Sequence, residues 1–120
     1  MAAIIVIDDD EMVCMTMKEQ LEIEGFDVVA IQSANKLESV LNHGVKLIIT
    51  DIIMPDKEGI EVIMELKKSA LGIKIVAMSG GGTNDKDCYL NVAKMLGADG
   101  ILSKPFSHEQ LISTVKLLID

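Results

Sequence analysis

The stretch Ala3-Ile4-Ile5-Val6-Ile7-Asp8-Asp9-Asp10 decides the fold. Its apolar part does not alternate with polar residues. A strand with one face in water would alternate. A continuous, mostly β-branched run suits a strand covered on both faces, as in a parallel sheet between helices. Three carboxylates then close the run. Working outward, similar apolar runs lie at 26–31, 47–50, 73–78 and 100–102. Between them, apolar residues recur three and four apart. Met17 and Leu21 precede Gly25, which is placed to stop a helix. Leu37, Val40 and Leu41 form the next stripe, with Ser33 as its cap. Ile60, Ile63 and Leu66 follow, then Leu90, Ala93 and Leu96 before Gly97. Leu111, Val115 and Leu118 make the last stripe, and Ser107 with Gln110 gives it a capping box. Five strands thus alternate with five helices. That pattern predicts an α/β fold, a doubly wound parallel sheet with helices on both faces.

Composition agrees with one such unit. The chain has 120 residues, of which 49% are hydrophobic. That is enough for one core, too little chain for an eight-stranded α/β barrel, and too apolar for a disordered tail. No linker or repeat divides it, so residues 1–120 are read as a single domain. The formal net charge is -8, and all 11 basic residues are lysines. An acidic chain without a guanidinium is a poor candidate for gripping nucleic acid or an anionic membrane. Cys14 and Cys88 lie far apart, in no metal-ligand spacing, and read as free thiols of a reducing compartment. No signal-peptide pattern precedes Ile4, and no apolar run approaches bilayer length. The expectation is a soluble cytoplasmic protein.

In an open α/β sheet, ligands sit beyond the carboxyl ends of the strands, where the strand order reverses. The polar residues at those ends are Asp8, Asp9 and Asp10 after the first run, and Asp51 after the third. Ser79 and Gly80-Gly81-Gly82 follow the fourth, and Ser103, Lys104 and Pro105 the fifth. Alone, each has an ordinary explanation. Acids favour helix starts, serine and glycine make turns, and lysines cover surfaces. Together they place acids, a hydroxyl and an ammonium on one edge. Two carboxylates ~4 Å apart repel by ~4 kcal/mol at an effective dielectric of about 20. Such a group needs a cation or shifted pKa values. Hard oxygen donors with open positions suit Mg²⁺, which binds one or two carboxylates together with a phosphate. A carboxylate can itself be the nucleophile and become an aspartyl phosphate.

These residues resemble the response-regulator receiver domains of two-component signalling. The matching motifs are Val6-Ile7-Asp8-Asp9-Asp10, Asp51-Ile52-Ile53-Met54-Pro55 with Gly59, Ala77-Met78-Ser79-Gly80, and Leu102-Ser103-Lys104-Pro105-Phe106. The likeness covers essentially the whole chain. It implies a flavodoxin-like three-layer sandwich with strand order 2-1-3-4-5 and five flanking helices. By the same resemblance Asp51 is the phosphoacceptor. Asp9 ligates Mg²⁺ directly, Asp8 assists through water, and the Ile53 carbonyl is a further ligand. Ser79 is the switch hydroxyl, Lys104 the phosphate-contacting lysine, and the Lys104–Pro105 bond is cis. One position departs from the pattern, because the family's switch aromatic falls on Ile101. The glycine-rich loop at 80–82 is a second oddity, expected to be mobile without phosphate.

The resemblance implies a phospho-accepting signalling module rather than a turnover enzyme. Its partners would be a sensor histidine kinase or histidine phosphotransfer domain, and a downstream protein target. The responding surface, by family analogy, joins the fourth helix, fifth strand and fifth helix; Tyr89, Lys94, Ile101 and Phe106 are its candidate residues. Ile53 and Gly81 flank the site without polar help for an attacking water, which points to slow self-dephosphorylation. The main alternative is a docking module of the same fold that is never phosphorylated. A dehalogenase-like phosphatase wants a second acid two residues after the first, where this chain has Ile53. A flavodoxin-like FMN site wants hydroxyls and glycines where this chain has acids.

Overall fold

A computed structural model describes residues 3–41, 44–52, 61–62, 64–65, 72–79 and 97–119. Five strands form one sheet: β1 (Ile4–Ile7), β2 (Val28–Ile31), β3 (Leu47–Asp51), β4 (Lys74–Ser79) and β5 (Gly100–Ser103). All described pairings are parallel, and the order is β2-β1-β3-β4-β5, as expected. Helix α1 spans Glu11–Ile23, a 3₁₀ turn Ala34–Lys36 leads into the short α2 (Leu37–Val40), and α3 spans His108–Ile119. Backbone at 61–62 and 64–65 is also helical. This lies in the third expected helical stripe; the fourth falls outside the described residues.

The continuous apolar runs explain the layering. Every residue of β1 is fully buried. Its side chains alternate between two cores. Ile5 and Ile7 join Ile31, Leu37, Ile48, Val62, Ile75 and Ala77 on one face. Ile4 and Val6 join Met17, Leu21, Leu47, Ile49, Val76, Met78, Leu111 and Val115 on the other. Thus α1 and α3 share one side of the sheet and α2 lies on the other. At ~25 cal/mol per Å² of apolar surface, each fully buried isoleucine contributes roughly 1.5–3 kcal/mol.

The caps fall where local chemistry demands them. Asp10 is the N-cap of α1, its side chain accepting from the N–H groups of Met12 and Val13. Gly25, just past the C-terminus of α1, has φ 94°, a left-handed conformation that glycine adopts without a Cβ clash. At α3 the Gln110 N–H donates to Ser107 Oγ at 3.0 Å, and the Ser107 N–H donates to Gln110 Oε1 at 2.8 Å. That is the expected capping box.

Two boundaries differ from the sequence reading in a useful way. Asp51 and Ser79 were expected after their strands, and each is instead the last residue of one. Asp51 pairs with Met78, and Ser79 with Ser103. The ladder therefore runs up to the polar edge and fixes the backbone of both residues.

Candidate functional site

Register places the site. Ile7 stands beside Ile31 and Thr50, Thr50 beside Ala77, and Met78 beside Leu102. One residue further along, the chain reaches Asp8 after β1, Asp51 on β3 and Ser79 on β4. Two residues past Leu102 it reaches Lys104. β1 lies between β2 and β3, so successive connections leave it in opposite directions. This is the reversal point at which open α/β sheets bind ligands.

Asp8 is fully buried, and both its carboxylate oxygens are engaged. Oδ1 accepts the N–H of Asp10 at 2.9 Å, and Oδ2 accepts from the Lys104 ammonium. Asp9 next to it is exposed. Asp51 is only 9% exposed, and its Oδ2 lies 3.3 Å from Lys104 Nζ. One oxygen from each of Asp8, Asp9 and Asp51 lies within 4.8 Å of the others. The third acid, Asp10, turns instead to the start of α1, where it satisfies orphan N–H groups and complements the helix dipole.

Lys104 is the counter-charge of this cup. Burial pushes its ammonium pKa down, while the Asp8 hydrogen bond and the Asp51 charge push it up. The carboxylates win, so the group stands above the ordinary lysine value and is fully charged at neutral pH. Its backbone is fixed as well. The Lys104 N–H donates to the Ser79 carbonyl at 2.8 Å, and the Lys104–Pro105 peptide is cis, as expected. Ser79 is 3% exposed at this same edge. The cup thus joins one exposed acid, two buried acids and an ammonium.

The donor set fits a hard divalent cation. Asp9 and Asp51 present carboxylate oxygens, while both oxygens of Asp8 are already engaged, by Asp10 and Lys104, which suits Asp8 to act through water. The other expected ligand, the Ile53 carbonyl, lies outside the described residues, as do Gly80, Gly81, Gly82, Cys88, Tyr89 and Lys94. Ile101, at the position of the missing aromatic, is 41% exposed on β5. Beside the cup, an open trough of about 480 Å³ runs between α1 and the segment after β5. Met12, Val13 and Met17 form one wall, and Lys104, Pro105 and Phe106 the other.

Sequence reading brought Asp8, Asp9, Asp51, Ser79 and Lys104 to one edge, and the structure gathers these five there. It missed Cys14. The Cys14 thiol is buried and lies 3.1 Å from the Asp8 carbonyl oxygen. A lone cysteine outside any motif gives no signal by type. Its place on the first turn of the helix that leaves the acid run was the available clue.

The model of the family described as response regulator receiver domain matches residues 4–116. The transcriptional regulatory protein CpxR of Klebsiella pneumoniae is 30% identical over 119 residues, covering 99% of this chain and 50% of that protein. The chain spans about half the length of the curated relatives it matches. Among solved structures, NtrX from Brucella abortus superposes with a TM-score of 0.88 at 25% identity, covering 99% of this chain and 27% of that one. The chemotaxis response regulator CheY4 of Vibrio cholerae gives 0.83 at 22% identity, with 99% of each chain covered. CheY4 shares the fold.

Proposed function

The chain belongs to the response regulator receiver domain family, the phospho-accepting modules of two-component signalling, and from that premise we propose that Asp51 accepts the phosphoryl group. The receiver unit is taken as residues 1–120. One observation carries the assignment: Asp51 stands beside an ammonium, with an oxygen of each of two further carboxylates within 4.8 Å, at the carboxyl edge of the sheet. The Lys104 ammonium stands 3.3 Å from an Asp51 oxygen and offsets its negative charge. The donor is a phosphohistidine of a sensor kinase or phosphotransfer domain. In the transfer an Asp51 oxygen forms the new bond to phosphorus as the histidine nitrogen–phosphorus bond breaks. The electron pair leaves with the imidazole, which then takes a proton. The Lys104 ammonium and the Ser79 hydroxyl would hold phosphoryl oxygens.

Asp9 and Asp51, with the Ile53 carbonyl, would hold Mg²⁺, and Asp8 would support it through water. When bound, the cation would neutralise negative charge on the phosphoryl oxygens. The donor reaches Asp51 over the trough between α1 and Phe106, whose apolar walls suit a protein partner. The modified Asp51 carries about -1.5 to -2 charges, by analogy with other phosphorylated side chains. That draws Ser79 and Lys104 inward and shifts the surface around β5, including Ile101 and Phe106. The reader of that surface is a downstream protein or domain, without direct contact of this chain to nucleic acid.

The test is intact-mass measurement after incubation with acetyl phosphate and Mg²⁺. The expected result is one added phosphoryl group, absent without Mg²⁺ and absent in Asp51→Asn. An unchanged mass under conditions that label other receivers would overturn the assignment.

A further inference from the structure

Asp8 is held from several directions, and one of the holds comes from a residue that the phosphoryl chemistry leaves unused. The Asp8 N–H donates to the Ile31 carbonyl at 3.2 Å, the last rung between β1 and β2. Its carboxylate is taken by the Asp10 N–H and by Lys104. Its own carbonyl lies past the ladder, because β2 ends at Ile31. There Cys14 Sγ stands 3.1 Å from the Asp8 carbonyl oxygen and 3.5 Å from that of Ile31. A thiol has one proton, so it serves the two oxygens in turn or as a shared bond, with Asp8 the nearer. Cys14 reaches this place because its N–H donates to the Asp10 carbonyl at 3.1 Å, the first rung of α1.

We infer that Cys14 is a positioning residue: its thiol ties the first turn of α1 to the Asp8 carbonyl and so fixes how Asp8 and Asp9 face the cation. The inference rests on the reading of Asp8 and Asp9 as parts of a Mg²⁺ site. Partners behind metal ligands set ligand orientation, and their loss costs about 10–100-fold in affinity. A thiol is a weak donor, so the expected loss lies at the lower end, about tenfold.

The experiment is calorimetric titration of Mg²⁺ into the unaltered chain and into Cys14→Val, Cys14→Ala and Cys14→Ser, with a thermal melt of each. Valine keeps the bulk without a donor, alanine removes both with less risk of overpacking, and serine keeps a donor. The expected result is an affinity about tenfold weaker in the valine and alanine variants and restored in the serine variant. A role in packing alone would lower the melting temperature of the alanine variant while leaving Mg²⁺ affinity at the level of the unaltered chain. That outcome in whichever of the two donor-free variants folds would overturn the inference. Failure of the unaltered chain to bind Mg²⁺ would instead overturn the site reading, and this inference with it.

Discussion

At the scale of single residues, Lys104 supplies the counter-charge of the acid cup. It bonds Asp8 and stands 3.3 Å from Asp51, so its removal leaves buried carboxylates without their counter-charge. Lys104→Met is expected to cost about 2 kcal/mol, read as a shift in the urea midpoint. The pH dependence follows from the raised pKa. A group whose pKa is raised by folding stabilises fully below its unfolded value, and the effect fades as pH climbs through the folded value. The gap between the unaltered chain and Lys104→Met should therefore hold steady from neutral to mildly alkaline pH. It should close only above the ordinary lysine range, and a gap that closed near neutrality would refute the account. Asp9 has the complementary part. It is exposed and has a free approach, so Asp9→Asn is expected to abolish Mg²⁺ stabilisation with little effect on the metal-free fold. In the unaltered chain, Mg²⁺ at ten times its dissociation constant adds about 1.4 kcal/mol by mass action, visible in a melt. The gathering of Asp51 and Lys104 at one edge was legible because strand ends converge in this topology. The pairing of Lys104 with Asp8 as well as Asp51 was not, since it depends on which rotamer fills the space beside a fully buried carboxylate.

At the scale of elements, α1 joins the sheet to the site through its first turn. Asp10 caps that turn with bonds of 2.9 and 3.4 Å to the Met12 and Val13 N–H groups. Asp10→Ala should cost about 1 kcal/mol, and Asp10→Asn much less, because the amide oxygen still accepts. Chemical denaturation of the two variants separates a capping role from a purely charged one. The capping box of α3 and the stop at Gly25 could be read directly, because both depend on residues adjacent in sequence. The exact ends of β3 and β4 could not. Asp51 and Ser79 are polar, and only their neighbours across the sheet hold them in the ladder. The second helix was read from Leu37, Val40 and Leu41 with Ser33 as cap. Its α part is the single turn Leu37–Val40, Leu41 is extended just past it, and Ser33 Oγ accepts the Asn35 N–H of the preceding 3₁₀ turn instead, because apolar spacing alone does not set length.

At the scale of the whole molecule, the sheet divides the core into two faces, and the apolar runs made this legible from the start. Ile49 is fully buried on the face shared by α1 and α3, whereas Leu117 is 84% exposed. Ile49→Ala is expected to cost about 2–4 kcal/mol and Leu117→Ala less than about 0.5 kcal/mol, measured by denaturant unfolding. Comparable losses in both would contradict this division of the core. The depth of Asp51 in the cup has a consequence for communication. A side chain sunk this far offers a passing protein almost nothing to touch, so a phosphoryl group placed on it, as proposed, would not serve as a visible flag. A protein that read the proposed change would respond to the rim's altered contour, to shape rather than to charge laid bare.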